Sequence, residues 1–203
     1  MESSSTPSSP FRVVVYCASS SYIDKRYTDA ATRLGQLLAE KHITCITGAG
    51  KQGLMGAVND AVLQHGGQAI GIIPRFMVDS GWCHSRLSEL QVTETMHIRK
   101  SKMAGMADAA IALPGGMGTL EELAELITWK QLGLYKNPIV ILNIDGYYTP
   151  LLDFFEKMIR EQFMPSLYRD LWFVATSPEE AVEVLQKIPA WDTSISKYPK
   201  KEL

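Results

Sequence analysis

Residues 109–122 read AAIALPGGMGTLEE, and the change of pattern inside them decides the fold. Ala109 to Leu113 is a short run without a polar residue, as expected of a strand covered on both faces. Pro114, Gly115, Gly116 and Gly118 interrupt it, and from about Thr119 to Leu132 the apolar positions return at helical spacing. A strand that feeds a helix through a glycine-rich turn is the repeating unit of a parallel sheet.

The same unit recurs on either side. Phe11 to Cys17 (FRVVVYC) is a β-branched and aromatic strand running into Ala18-Ser19-Ser20-Ser21. Tyr27, Ala30, Ala31, Leu34, Leu37 and Leu38 then mark one face of a helix. Ile43 to Thr47 predicts a strand, Gly48 to Gly53 a glycine-rich loop, and Leu54 to Gln64 a helix stopped by Gly66-Gly67. Gln68 to Ile73 is the next strand, and Arg75 to Ser85 reads as a long irregular loop suited to a functional role. Strands at Leu87 to Thr93, Pro138 to Asn143 and Leu171 to Ala175 follow, with helices at Met96 to Met106, Leu151 to Glu161 and Pro178 to Lys187. Ser177-Pro178-Glu179-Glu180 places Ser at the N-cap, Pro at N1 and Glu at N3 of the last helix. Together these predict an α/β fold, a mostly parallel sheet of about seven strands with helices on both faces. One domain is expected over residues 11–187, between a polar tail at 1–10 and a C-terminal tail at 188–203 whose Trp191 is placed to dock on the body or on a partner.

Composition narrows the function. The 203 residues carry 20 Lys+Arg against 22 Asp+Glu, a formal net charge of −2. Such a balance argues against a nucleic-acid groove, which needs a concentrated basic surface, and leaves small phosphorylated ligands open. No apolar run approaches the roughly 18 to 20 residues that span a bilayer, so no membrane association is expected. The opening MESSSTPSSP lacks the basic start and apolar stretch of a secretory signal. Cys17, Cys45 and Cys83 have no CxxC spacing, which points away from a disulfide framework or zinc knuckle and toward a reducing, cytoplasmic setting.

Ligands of open parallel sheets gather at the carboxyl ends of the strands, where free N–H groups of helix N-termini attract phosphate. Two glycine loops stand at such places. Gly48-Ala49-Gly50-Lys51-Gln52-Gly53 matches GxGxxG, but Ile73-Pro74-Arg75 stands where a dinucleotide site carries its ribose-binding acid; Arg75 keeps an NADP 2′-phosphate reading open. A P-loop is excluded because Lys51 is not followed by Ser or Thr. The second loop leads into Thr119-Leu120-Glu121-Glu122, which has two readings. In one it is a capping box, with Thr119 at the N-cap and Glu122 returning to its N–H. In the other, Glu122 is an acid one turn into the helix that faces the crevice, beside a phosphate cradle of Gly115, Gly116, Met117 and Gly118. Arg99 and Lys100 sit side by side near a helix start, an unfavourable place for cations that points to an anionic partner. His97 has no second histidine or cysteine at ligand spacing, so a packing or hydrogen-bonding role is favoured over a metal ligand.

PGGMGTLEE at 114–122 fits PGGxGTxxE, and MHIRK at 96–100 fits the partner motif MHxRK. Together they resemble the LONELY GUY family of cytokinin-activating phosphoribohydrolases. The likeness runs from Phe11 to about Lys187 and includes Gly53-Leu54-Met55-Gly56 and ITWKQLG at 127–133. It implies a Rossmann-like fold and hydrolysis of an adenine nucleoside 5′-monophosphate, often N6-modified, to free base and ribose 5-phosphate. It further implies a homodimer with the site near the interface, and no cofactor or metal. Carried onto this chain, the catalytic pair is Arg99 and Glu122. Substrate contacts fall on Lys100, Gly115, Gly116, Met117, Gly118, Thr119, Leu120, Glu121 and Thr128. Gly48 and Gly50 of the first loop complete the expected binding set as phosphate-cradle glycines. Many members have three consecutive glycines where this chain has Gly48-Ala49-Gly50, and the segment from Asp79 to Glu94, with Trp82, His84 and Glu89, is the expected place for base selectivity. An AMP nucleosidase and a nucleotide carrier without turnover are the alternatives.

Overall fold

The computed structural model describes residues 10–185 and 187–195; apart from Pro10, the expected N-terminal tail lies outside them, as does the end of the chain past residue 195. Strands β1 (Arg12–Tyr16), β2 (Thr44–Thr47), β3 (Ala69–Pro74), β4 (Glu89–Thr93), β5 (Ala109–Ala112), β6 (Ile139–Leu142) and β7 (Phe173–Ala175) form one sheet. Its order is β4-β3-β2-β1-β5-β6-β7, and every pairing is parallel. Helices α1 (Lys25–Glu40), α2 (Gly53–Gln64), α3 (Arg75–Asp79), α4 (Met96–Met106), α5 (Met117–Gln131), α6 (Thr149–Arg160) and α7 (Pro178–Leu185) connect and follow the strands.

The uninterrupted apolar run of β1 is explained by its two neighbours in depth. Strand side chains alternate between faces. Val13 and Val15 join a core with Leu34, Leu54, Val58 and Leu185, while Val14 and Tyr16 join another with Met103, Leu123 and Leu126. Thus α1, α2 and α7 cover one face, and α4 and α5 cover the other, with Leu151, Leu152 and Phe155 of α6 packed against it. Ser177 caps α7 as read from sequence, accepting from Glu180 N–H at 3.2 Å, although Glu180 returns its carboxylate to Thr176 rather than to the cap itself.

Two local expectations are corrected, and of the two places open to Trp191 the structure takes the body. Residues 75–79, read as irregular, form the short helix α3, because Pro74 in extended conformation starts a turn directly at the strand end. The final strand starts at Phe173 rather than Leu171, since 166–171 coil into a 3₁₀ helix that buries Tyr168 and Leu171. Trp191 belongs to the body: its backbone N–H donates to Lys136 O at 2.8 Å, and its ring meets Tyr168 edge-on at 6.5 Å.

α1 and α2 pack closely because Gly35 has no side chain; a Cβ there would lie 2.6 Å from Val58 O and 2.8 Å from Ala61 Cβ. Gly35→Ala is expected to lose about 1–2 kcal/mol of stability in urea unfolding. Overpacking costs about 1–3 kcal/mol, and contact with a backbone oxygen that cannot swing aside puts it in the upper part of that range, above the roughly 1 kcal/mol gain in helix propensity. Unchanged or increased stability would contradict this packing.

Candidate active site at the switch between β1 and β5

From β1 the chain winds outward through β2, β3 and β4, and it returns to place β5 on the other side of β1. The loops after β1 and β5 therefore diverge and leave a crevice, the topological switch point at which such sheets bind ligands. Ala18 N–H, after β1, donates to Pro114 O at 3.2 Å and ties the two loops together at their base. Above it lies a pocket of about 720 Å³, bordered by Ser19 and Ser20, the first glycine loop, Met77 and Trp82, Arg99, and the N-terminus of α5.

Arg99 and Glu122 meet at its floor. Arg99 comes from the first turn of α4 and Glu122 from the second turn of α5; their side chains are 7% and 9% exposed, and Nη1 donates to Oε1 at 2.9 Å. The guanidinium is held from behind by β3, where Nε donates to Ile72 O at 3.1 Å. Burial pushes the Glu122 carboxyl above its ordinary value, opposed by the charge and hydrogen bond of Arg99. A carboxylate poised in this way can accept a proton or answer a developing positive charge.

The capping-box reading of Thr119 and Glu122 is corrected. Helix α5 starts at Met117, with Gly116 at the N-cap and no side-chain cap, so Thr119 is the buried third residue and Glu122 is free to pair with Arg99. A Cβ on Gly115 would collide with the Thr119 side chain, whereas Gly116 and Gly118 face open space. The N–H groups of the first turn have no acceptor within the helix. Together with the helix dipole they offer an anion site beside the ion pair. Tyr147 and Tyr148 hold the loop from below, donating their hydroxyls to Gly115 O and Leu113 O, each at 2.7 Å.

The first glycine loop borders the pocket and also makes room for the protein's own side chains. A Cβ on Gly48 would fall on the Arg99 guanidinium, so Gly48 makes room for the arginine. Gly50 N–H points at Met55 Sδ, 2.9 Å away. Ala49 is fully buried in left-handed backbone at φ 61°, where glycine would sit unstrained. The segment after α3 docks on this loop: Lys51 N–H donates to Trp82 O at 3.1 Å and His84 N–H to Ala49 O at 2.8 Å. His84, buried, anchors the segment by Nε2 to Asp60 at 3.0 Å while its Nδ1 accepts from Arg86 N–H. Trp82 thus walls the pocket, while Glu89 is exposed on β4.

Of the residues expected from sequence, Gly48, Gly50, Arg99, Gly116, Met117, Gly118, Thr119, Glu121 and Glu122 border the pocket. Four do not. Lys100 turns to the acidic side of α5 and pairs with Glu121 and Glu125; Leu120 is half-buried beside the site; Gly115 supports Thr119; and Thr128 is exposed near the far end of α5, its hydroxyl on Ala124 O. His97 is exposed on α4. Trp82 lines the pocket from the segment expected to select the base, while Ser19, Ser20 and Met77 line it with no motif to mark them, because bringing distant loops together is the work of the sheet order.

This fold and pocket define a Rossmann-like α/β protein with an acid–arginine pair at the switch point. The family model described as possible lysine decarboxylase matches residues 55–185. The probable cytokinin riboside 5′-monophosphate phosphoribohydrolase LOGL2 of Oryza sativa subsp. japonica is 42% identical over 187 residues, covering 92% of this chain and 77% of that protein. Cytokinin riboside 5′-monophosphate phosphoribohydrolase LOG7 of Arabidopsis thaliana is also 42% identical, covering 92% of this chain and 86% of the relative. The molybdenum cofactor binding protein of Rippkaea orientalis shares the fold, with a TM-score of 0.68 at 23% identity over 90% of this chain and 99% of that one. The chain belongs to the LONELY GUY family of cytokinin riboside 5′-monophosphate phosphoribohydrolases.

Gly48→Ala is expected to expel the guanidinium from its seat on β3 and to cost about 1–3 kcal/mol of stability, the usual range for overpacking. The Arg99 Nε–H, bonded to Ile72 O, should exchange slowly with water in the native protein and fast in the variant. A protected resonance there would contradict the role given to Gly48.

Proposed function

We propose that the chain hydrolyses the N-glycosidic bond of adenosine 5′-monophosphates, N6-modified ones such as cytokinin riboside 5′-monophosphates first among them, to free base and ribose 5-phosphate. The observation that carries this reading is the buried Arg99–Glu122 pair directly beside the uncapped N-terminus of α5. The relatives' names supply the substrate class.

Breaking the bond from C1′ to the purine nitrogen leaves positive charge on the ribose, as in glycoside hydrolysis. The Glu122 carboxylate stabilises that charge and takes a proton from the attacking water, whose oxygen bonds to C1′; the proton ends on the purine nitrogen that leaves, and the carboxylate is restored. Arg99 keeps the carboxylate ionised and aimed, since its guanidinium forks between Glu122 and the β3 carbonyl. The first-turn amides of α5 hold the 5′-phosphate, and binding energy gained there positions the ribose, favouring nucleotides over nucleosides. Trp82, Met77 and Met117 give the pocket an apolar side against which a modified adenine can rest.

We further place this site near an interface between two copies of the chain. Phe76, Trp82, Ile98 and Met117, on the elements that wall the pocket, stand 48–79% exposed, an apolar set that a partner would cover. The free thiols of Cys17, Cys45 and Cys83 agree with a reducing compartment, the cytoplasm in our reading. No helix among the described residues is long and apolar enough to cross a membrane.

Incubation with AMP and with isopentenyl-AMP should release free base and ribose 5-phosphate, faster from the modified nucleotide; intact nucleotide in both would overturn the proposal. Glu122→Gln should lower kcat by about 10²-fold or more, the scale of lost electrostatic groups, measured per folded molecule. Since Glu122 must be ionised and its carboxyl is raised from 4.5, kcat/KM should fall on the acid side with a midpoint above that value. Sedimentation equilibrium should find a dimer at micromolar concentration.

A further inference from the structure

Lys130 is a cation that the proposed reaction does not use. It follows Glu122 by eight residues on α5, which carries it about 12 Å along the helix axis. There it is only 2% exposed. Among the described residues it makes no ion pair and no side-chain hydrogen bond. Its place in the last turn of α5 is favourable for a positive charge, and Nζ stands 6.0 Å from the ring centroid of Trp191. Neither contact replaces the hydration that a buried ammonium gives up.

The lysine borders a pocket of about 600 Å³ whose walls are chiefly apolar, including Ile139, Leu171, Trp172, Phe173 and Trp191. The other charges there are rim residues. Lys187 is paired with Glu183, Asp192 accepts from Ser194 N–H, and Asp170 is exposed to solvent. The indole N–H of Trp191 is buried with no acceptor. Trp191 therefore brings a buried donor without an acceptor, and Lys130 a cation without a counter-ion among the described residues, to one apolar pocket. Pockets of this volume with a few convergent polar groups are the usual form of small-molecule sites.

We propose that this pocket is a second ligand site, separate from the crevice at β1 and β5, which takes a small carboxylic acid with an apolar, ring-sized body. The carboxylate is received by Lys130 and the Trp191 N–H, and the body packs against Leu171, Trp172 and Phe173. Asp170 and Asp192 at the rim, both exposed, favour a ligand with a single negative charge over one with several. Burial pushes the Lys130 amine down to about 8, so a bound carboxylate draws a proton onto it.

Calorimetric titration of the full chain, with ribose 5-phosphate present to occupy the crevice without turnover, tests this with benzoate and its neutral analogue benzamide as probes. Benzoate should bind at least about tenfold more tightly than benzamide, a difference of one charge-assisted contact. Lys130→Met, close to isosteric, should keep a native melting transition and lose benzoate binding by at least the same factor. A third arm needs no variant: the affinity of the unaltered protein for benzoate should fall as pH rises from about 7 to 9.5, as the lysine loses its proton. No binding of benzoate, equal binding of benzoate and benzamide, equal binding to Lys130→Met, or an affinity flat with pH would each overturn the proposal. None of these outcomes depends on whether nucleotides are hydrolysed.

Discussion

A guanidinium and a carboxylate, each less than a tenth exposed, face one another at 2.9 Å where the two halves of the sheet part. Taking two charges out of water costs several kcal/mol per ion, and their attraction offsets that cost only when the geometry is good and the remaining hydrogen-bonding capacity is used. Much of the surrounding structure meets those conditions. The Ile72 carbonyl takes the second guanidinium donor, Gly48 vacates the space that the head group occupies, and α5 begins early enough to turn Glu122 inward. If α5 began at Thr119, as its capping box suggested, Glu122 would be needed at the helix start and Arg99 would lose its partner.

The two glycine loops divide the work. The loop after β2 shapes the protein's own interior, with Gly48 under Arg99 and Gly50 against Met55. The loop after β5 keeps Gly116 and Gly118 open and leaves the first amides of α5 without a side-chain cap. In the proposed reaction those amides receive the 5′-phosphate beside the ion pair, so that binding energy at the phosphate serves the bond that breaks. The segment from Trp82 to His84, fastened to the first loop and to Asp60, closes the remaining side.

Much of this was legible in the chain. Alternation of apolar runs with helical spacing gave the sheet, and helix α4 falls at Met96–Met106 as the pattern indicates. PGGMGTLEE and MHIRK identified Arg99 and Glu122 without showing that they touch. What escaped the sequence depends on three-dimensional neighbours. The capping box failed because burial and an arginine 23 positions away outcompete a local cap for Glu122. Lys100 looked like a phosphate ligand next to Arg99, but adjacent residues on a helix point about 100° apart, and it meets Glu121 and Glu125 instead. Lys130 gave no signal in the midst of ITWKQLG, since its isolation is set by Trp191, sixty-one residues later.

The claim that Arg99 and Glu122 act as one unit is tested most directly by a double-mutant cycle in nucleotide hydrolysis, with Arg99→Met, Glu122→Gln and the combined variant. Groups that work together are strongly non-additive. The expected result is a combined variant no slower, within about threefold, than the slower single variant. Losses that multiply across the two substitutions would show that the residues act independently and would contradict the account.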